Sequence, residues 1–143
     1  MTGEAEYPRA EPVWVMDATV VAVHGLQVAE HGGVDGTRDE GLLASALARP
    51  IHLFAYGDET VATDLPSLAT AYAFGIARNY PFFDGNKRTA LVVARTFLLL
   101  NGLGVAATQE EKHRTFLALA GGSLSEEALC AWFRERAVRD SPF

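Results

Sequence analysis

The chain has 143 residues, 49% of them apolar and 21% charged, with a formal net charge of −6. That length suits one domain with a buried core, and the acidic balance argues against general binding to nucleic acid or anionic lipid. A single cysteine, Cys130, excludes an internal disulfide, and its apolar neighbours predict a buried, inert thiol.

Residues 1–12 are polar and read as a loose tail, 13–139 as the domain and 140–143 as a second short tail. The first dozen residues lack the apolar core of a secretory signal, and no stretch approaches the roughly 20 apolar residues of a membrane span, so a cytoplasmic protein is expected. Val13-Trp14-Val15 reads as a short extended piece. Asp17 is a suitable N-cap for a helix from about Ala18 to Glu30, which the run from His31 to Gly36 ends. Asp39 caps a second helix through Leu42, Leu43, Ala46 and Leu47, which Pro50 is expected to stop. The stretch Ile51, His52, Leu53, Phe54, Ala55, Tyr56, continuing to Asp58, alternates enough for a small extended flap. Such a flap could pair with an extended target segment by strand addition.

A helix from about Pro66 to Arg78 follows, with proline tolerated in its first turn. The next helix, from about Asn86 to Asn101, is apolar nearly all round from Leu91 to Leu100 and reads as the central buried one. Thr108 and Glu111 form a capping box, and Ser125 caps a final helix, with Leu124 and Leu129 spaced as a hydrophobic staple. The fold class is therefore all-α: one compact helical domain with a buried central helix and a short flap.

Between two of these helices lies the chemically densest stretch, from Asn79 to Arg88. Asp84, Gly85, Asn86, Lys87 and Arg88 place an acid, a turn, an amide and two cations at a helix start. The unsatisfied N–H groups and positive dipole end of such a start favour phosphate. Lys87 adds a point charge and Arg88 a planar fork, and Asp84 offers a carboxylate suited to Mg²⁺. Phe82 reads as a core anchor for the loop. His24, His31, His52 and His113 show no paired metal-ligand spacing and read as surface or packing residues.

The run Pro81-Phe82-Phe83-Asp84-Gly85-Asn86-Lys87-Arg88-Thr89-Ala90-Leu91 closely resembles the core motif of Fic/Doc proteins, in the death-on-curing (Doc) branch. The stretches Gly33 to Leu43 and Ala46 to Pro50 resemble the N-terminal half of that branch, and the resemblance runs from about Val15 to Phe133. It implies a Fic/Doc-like helical domain that transfers AMP or, in Doc-like members, a phosphoryl group from ATP to a protein hydroxyl. It also implies Mg²⁺ on Asp84 and phosphate contacts from Gly85, Asn86, Lys87 and Arg88. A translation factor such as elongation factor Tu is the implied target, and a Phd-like antitoxin whose disordered tail folds into a surface groove is the implied partner.

The chain departs from the family pattern in three places. The family motif begins with a histidine that takes the proton from the target hydroxyl, and Tyr80 stands there. Imidazole titrates near 6.5 and phenol near 10, so most of a general-base contribution of roughly 10²- to 10⁴-fold is expected to be missing. AMP-transferring relatives resemble one another in having glycine at the position of Lys87 and a second arginine at that of Leu91. Both departures point to phosphoryl transfer in the Doc manner. The alternatives are a binding module without transfer, an AMP-transferring enzyme, and a Tyr80 that accepts self-modification.

Overall fold

A computed structural model of the chain describes residues 10–57 and 64–140. Among them six helices run in the order α1 Asp17–His31, α2 Glu40–Tyr56, α3 Leu65–Asn79, α4 Asn86–Leu100, α5 Gln109–Ala120 and α6 Glu126–Arg136. Two three-residue strands, β1 Leu103–Val105 and β2 Ala137–Arg139, pair antiparallel with Gly104 opposite Val138. The all-α class holds, and the small ladder, too short to carry a sequence period, is an addition.

The centre of the domain is α3 rather than α4. Every residue of α3 from Leu68 to Ala77 is buried, and the helix packs against α2, α4 and α6. Its alanines and Gly75 carry little hydrophobic weight each, yet they let neighbouring backbones approach closely. A Cβ on Gly75 would lie 3.0 Å from the Ala46 carbonyl oxygen of α2. By contrast α4 buries one side only, through Thr89, Ala90, Val93, Ala94, Phe97 and Leu98, and leaves Leu99 and Leu100 about half exposed. The strongest apolar run therefore marks a flank of the core.

Pro50 does not stop α2, which continues through it to Tyr56. The missing N–H removes the helical donor for the Ala46 carbonyl, where α2 crosses Gly75. Burial of Leu43, Ala46, Leu47 and Pro50 on one face, continued by Leu53 and Phe54 against the core, outweighs that loss. Ile51, His52, Leu53, Phe54, Ala55 and Tyr56 are consequently helical, which corrects the expected flap; Asp58 lies outside the described residues. Phe54 meets Trp14 edge-on at 5.8 Å, and Trp14 also stacks on Phe97.

Helix starts follow local chemistry with one correction. Asp39, Thr108 and Ser125 each accept a backbone N–H as N-caps, and Thr108 with Glu111 closes both bonds of the capping box. Asp17, however, is the first residue of α1; Met16 is its N-cap and gives no side-chain bond. Leu129 is buried and Leu124 packs against the same core. Val13 and Val15 are not in a strand: Val13 is held by the Asn101 amide, and the Val15 N–H donates to the Tyr72 hydroxyl. Cys130 is half-buried beside Arg134 rather than buried, because α6 turns Leu129 and Phe133 inward.

The cap of α3 is Asp64, which accepts the N–H and hydroxyl of Ser67 and pairs with Arg134 at 3.0 Å. Partial burial alone would raise its pKa, but the hydrogen bonds from Arg134 and Ser67 outweigh this and hold it below the ordinary value. Its contribution is thus complete above about pH 3.9, the unfolded carboxylate value, and is lost as pH falls through the lower folded value. Asp64→Ala should lower stability by about 1 kcal/mol at pH 7. In urea titrations the gap between parent and variant should narrow at pH values below the carboxylate range.

Candidate functional site

The loop between α3 and α4 enters and leaves through left-handed residues. Tyr80, the C-cap of α3, has φ 51° and ψ 54°, the sole positive φ at a non-glycine among the described residues. Gly85, the N-cap of α4, has φ 75°, where a side chain would be strained. Between them the loop is stitched to the residues before α2. Arg38 and Asp39 donate their N–H groups to the Pro81 carbonyl at 2.7 and 3.1 Å, and the Phe83 N–H donates to Gly36. Thr37 and Phe82 form an antiparallel bridge at the same place. The extended segment alongside the loop is therefore the one near Thr37, not the stretch from Ile51 to Tyr56.

Three side chains hold the loop from below. The Asn86 amide grips the backbone of Phe82 on both sides, its Oδ1 accepting the Phe82 N–H and its Nδ2 donating to the Phe82 carbonyl, each at 2.9 Å. Both residues are buried. Asn86 thus spends its side chain on loop geometry, and only its backbone N–H remains for a ligand. His24 of α1, 1% exposed, stacks on Phe82 with ring centres 3.9 Å apart and donates from Nε2 to the Asp84 carbonyl at 2.7 Å. Its Nδ1 lies 3.6 Å from the Asp35 carboxylate. Arg38 donates from Nε and Nη2 to the Tyr80 and Asn79 carbonyls, closing the C-terminus of α3.

Of the charged motif residues, Asp84 is exposed and Lys87 and Arg88 are half-buried. Asp84 accepts the Val34 N–H on Oδ2 at 2.7 Å, and Oδ1 has no hydrogen bond among the described residues. A Cβ at Gly33 would come within 3.0 Å of the Asp84 side chain, so glycine makes room for the carboxylate. Lys87 donates to the Ala120 carbonyl at the end of α5, with its ammonium 5.6 Å from the centre of the Tyr80 ring. Arg88 lies over Phe116 at 4.3 Å. The start of α4 has no side-chain cap, so the N–H groups of Asn86, Lys87 and Arg88 are free of intrahelical partners.

Tyr80, Asp84, Gly85, Asn86, Lys87 and Arg88 line one open cleft of about 330 Å³. The structure thus brings together every motif residue picked out by sequence, whereas Ile51 to Tyr56 lie on α2, apart from these lining residues. Sequence reading missed His24 and Arg38 as supports. Val20 and His24, four residues apart on the buried face of α1, were the available signal for the first. Nothing local marks Arg38, whose partners lie more than 40 positions away.

The arrangement offers a helix start open to anions, two anchored cations and a half-free carboxylate. Among the described residues no group of three His, Cys, Asp or Glu side chains could hold a metal, and no helix is long and apolar enough to cross a membrane. Residues 14–98 match the sequence model of the Fic/DOC family. The chain is 33% identical over 102 residues to "Protein kinase doc" of Escherichia phage P1, covering 71% of this chain and 79% of that protein. It is 45% identical over 76 residues to "Toxin Doc" of Mycolicibacterium smegmatis (strain ATCC 700084 / mc(2)155), covering 53% of this chain and 57% of that one.

The Asn86 clamp has a measurable cost of removal. Asn86→Ala strands a buried N–H and a buried carbonyl at Phe82 and should destabilise the domain by about 2 kcal/mol. Calorimetry should show the melting midpoint lowered by roughly 7 °C.

Proposed function

The chain belongs to the Fic/DOC family, and on that premise we propose that it is a Doc-type toxin whose chemistry is ATP-dependent phosphoryl transfer to a protein hydroxyl. The observation that carries this reading is the convergence on one cleft of the uncapped α4 start, Lys87, Arg88 and Asp84. Each suits phosphate: the N–H groups as donors at the positive dipole end, Arg88 as a fork, Lys87 as a point charge. The name of the phage relative, a protein kinase, supports a phosphoryl group. Lys87 supports it too, since its side chain, anchored on Ala120, fills space that glycine would leave for close backbone approach.

In the transfer, the acceptor oxygen forms a bond to the terminal phosphorus, the bond from that phosphorus to the ADP oxygen breaks, and the hydroxyl proton leaves to a base at position 80. Mg²⁺ fits the donor set. One carboxylate with a free Oδ1 suits an ion that takes its other ligands from phosphate and water. Held by Asp84, it would supply charge neutralisation at the phosphates. The chain's own residues do the rest: Val34 and Gly33 orient Asp84, His24 and Asn86 hold its loop, and Ala120 fixes Lys87.

Position 80 is where binding and chemistry separate. Arg38 fixes the backbone there through carbonyls that any side chain would share. A histidine would therefore occupy the place Tyr80 now takes, while a neutral phenol is a weak base. We assign this form as strongly impaired in transfer with its phosphate cradle intact. Its partners in this reading are a Phd-like antitoxin and a translation factor such as elongation factor Tu.

Tyr80→His should raise transfer by roughly 10²-fold or more, read as label moving to elongation factor Tu from γ-labelled ATP with Mg²⁺ and not from α-labelled ATP. An inert revertant would sink the assignment of position 80, and label from the α position would replace phosphoryl by AMP transfer.

A further inference from the structure

In a chain with an excess of acids, cations without a partner are informative. Carboxylates take Arg49 and Arg78 at Glu126, Arg114 at Glu110, Arg134 at Asp64 and Arg136 at Glu111. Backbone carbonyls take Arg38 and Lys87. Among the described residues this leaves the side chains of Arg88, Arg95, Lys112 and Arg139 with no hydrogen bond or ion pair. All but Arg139 line one cleft of about 490 Å³ between α1, α4, α5 and α6, and all of those are half-buried. Glu30 is the only carboxylate in that lining, and it lies 3.8 Å from His31. Positive charge is therefore in excess, part-desolvated and unanswered, so the cleft selects an anion.

The kind of anion follows from where the cations stand. Arg88 and Phe116 also line the phosphate cleft, so the two spaces meet at the start of α4. Arg95 follows Arg88 by two turns on the same face of α4, about 10 Å further along. Lys112 adds a cation from α5. The charge thus extends from the phosphate cleft along a line, as a chain of phosphates would need, rather than gathering at one point. Phe116 and Trp132 add apolar ring surface, and the amides of Gln27 and Gln109, without partners among the described residues, add donors and acceptors. That set matches a nucleotide: cations for its phosphates, rings for its heterocycle, amides for a base edge. An acidic peptide would use the cations, but it has no need of a path into the phosphate cleft. Tyr80 lines the phosphate cleft and not this one, so a nucleotide lying here leaves the base position to the acceptor, as in-line transfer requires.

We propose that this cleft binds the ADP portion of ATP, with its inner phosphates on Arg88, Arg95 and Lys112 and the terminal phosphate at the start of α4. Arg95 and Lys112 are then nucleotide-binding residues outside the motif. The inference rests on the phosphotransferase reading for the identity of its occupant, and it makes ADP the group that stays in the cleft when the phosphoryl group leaves.

Ribose-labelled fluorescent ADP, titrated by anisotropy against the full chain, reads binding without transfer, so either idea can fail alone. Arg95→Glu and Lys112→Glu should each weaken ADP about tenfold. Arg95→Lys, which keeps the charge, should retain most of the affinity. Arg114→Glu, an equal loss of positive charge on α5 outside the cleft, should leave it unchanged. Unlabelled ADP should displace the probe far better than pyrophosphate does. Unchanged affinity in both cleft variants, an equal loss in Arg114→Glu, or displacement by pyrophosphate as readily as by ADP would overturn the proposal. So would a glutamate-rich amphipathic peptide whose binding depends on Arg95 and Lys112 while that of ADP does not. If ADP binds as stated but Tyr80→His transfers no label, the nucleotide cleft stands and the phosphotransferase reading falls.

Discussion

The site depends on one short-range constraint, the two hydrogen bonds by which the Asn86 amide grips the Phe82 backbone. A loop leaving a helix through Tyr80 and entering another through Gly85 has many conformations to lose. A buried amide satisfying both backbone polar groups of one residue removes most of them, because any other arrangement leaves a buried donor or acceptor unpaired. Phe82 is then fixed with its ring against His24, and His24 in turn holds the Asp84 carbonyl. From these few contacts follow the outward direction of Asp84 and the open start of α4.

That constraint needs a rigid bed, which α3 provides. Its small residues bring α2 so near that Gly75 meets the Ala46 carbonyl. The start of α2 consequently lies beside the loop, where Arg38 and Asp39 bind Pro81 and Arg38 closes the end of α3. Tyr80 is held in a left-handed conformation that costs a non-glycine residue free energy. Its carbonyl is pinned by Arg38 and its ring covered by Lys87. The Arg38 contact is made to the backbone and so does not depend on which side chain stands at position 80.

Legibility in the sequence followed the range of the interactions. Caps at Asp39, Thr108 and Ser125 are decided within four residues, and each was readable. The motif was readable as well, since its charges, glycine and helix start are contiguous. Pro50 and the stretch after it misled because a local breaker was set against burial that no local pattern measures. Asp64 escaped notice although it caps α3, its strength coming largely from Arg134, 70 residues away.

By itself the sequence determined the helical class, the helix caps at Asp39, Thr108 and Ser125, the family resemblance and the set of residues from Tyr80 to Arg88, because propensity, capping and motif chemistry act between near neighbours. Tertiary structure alone decided which helix is central, that Ile51 to Tyr56 is helical, and that Asn86 and His24 support the loop. Those outcomes depend on close approach between segments far apart in the chain, and a one-dimensional pattern holds no record of such distances.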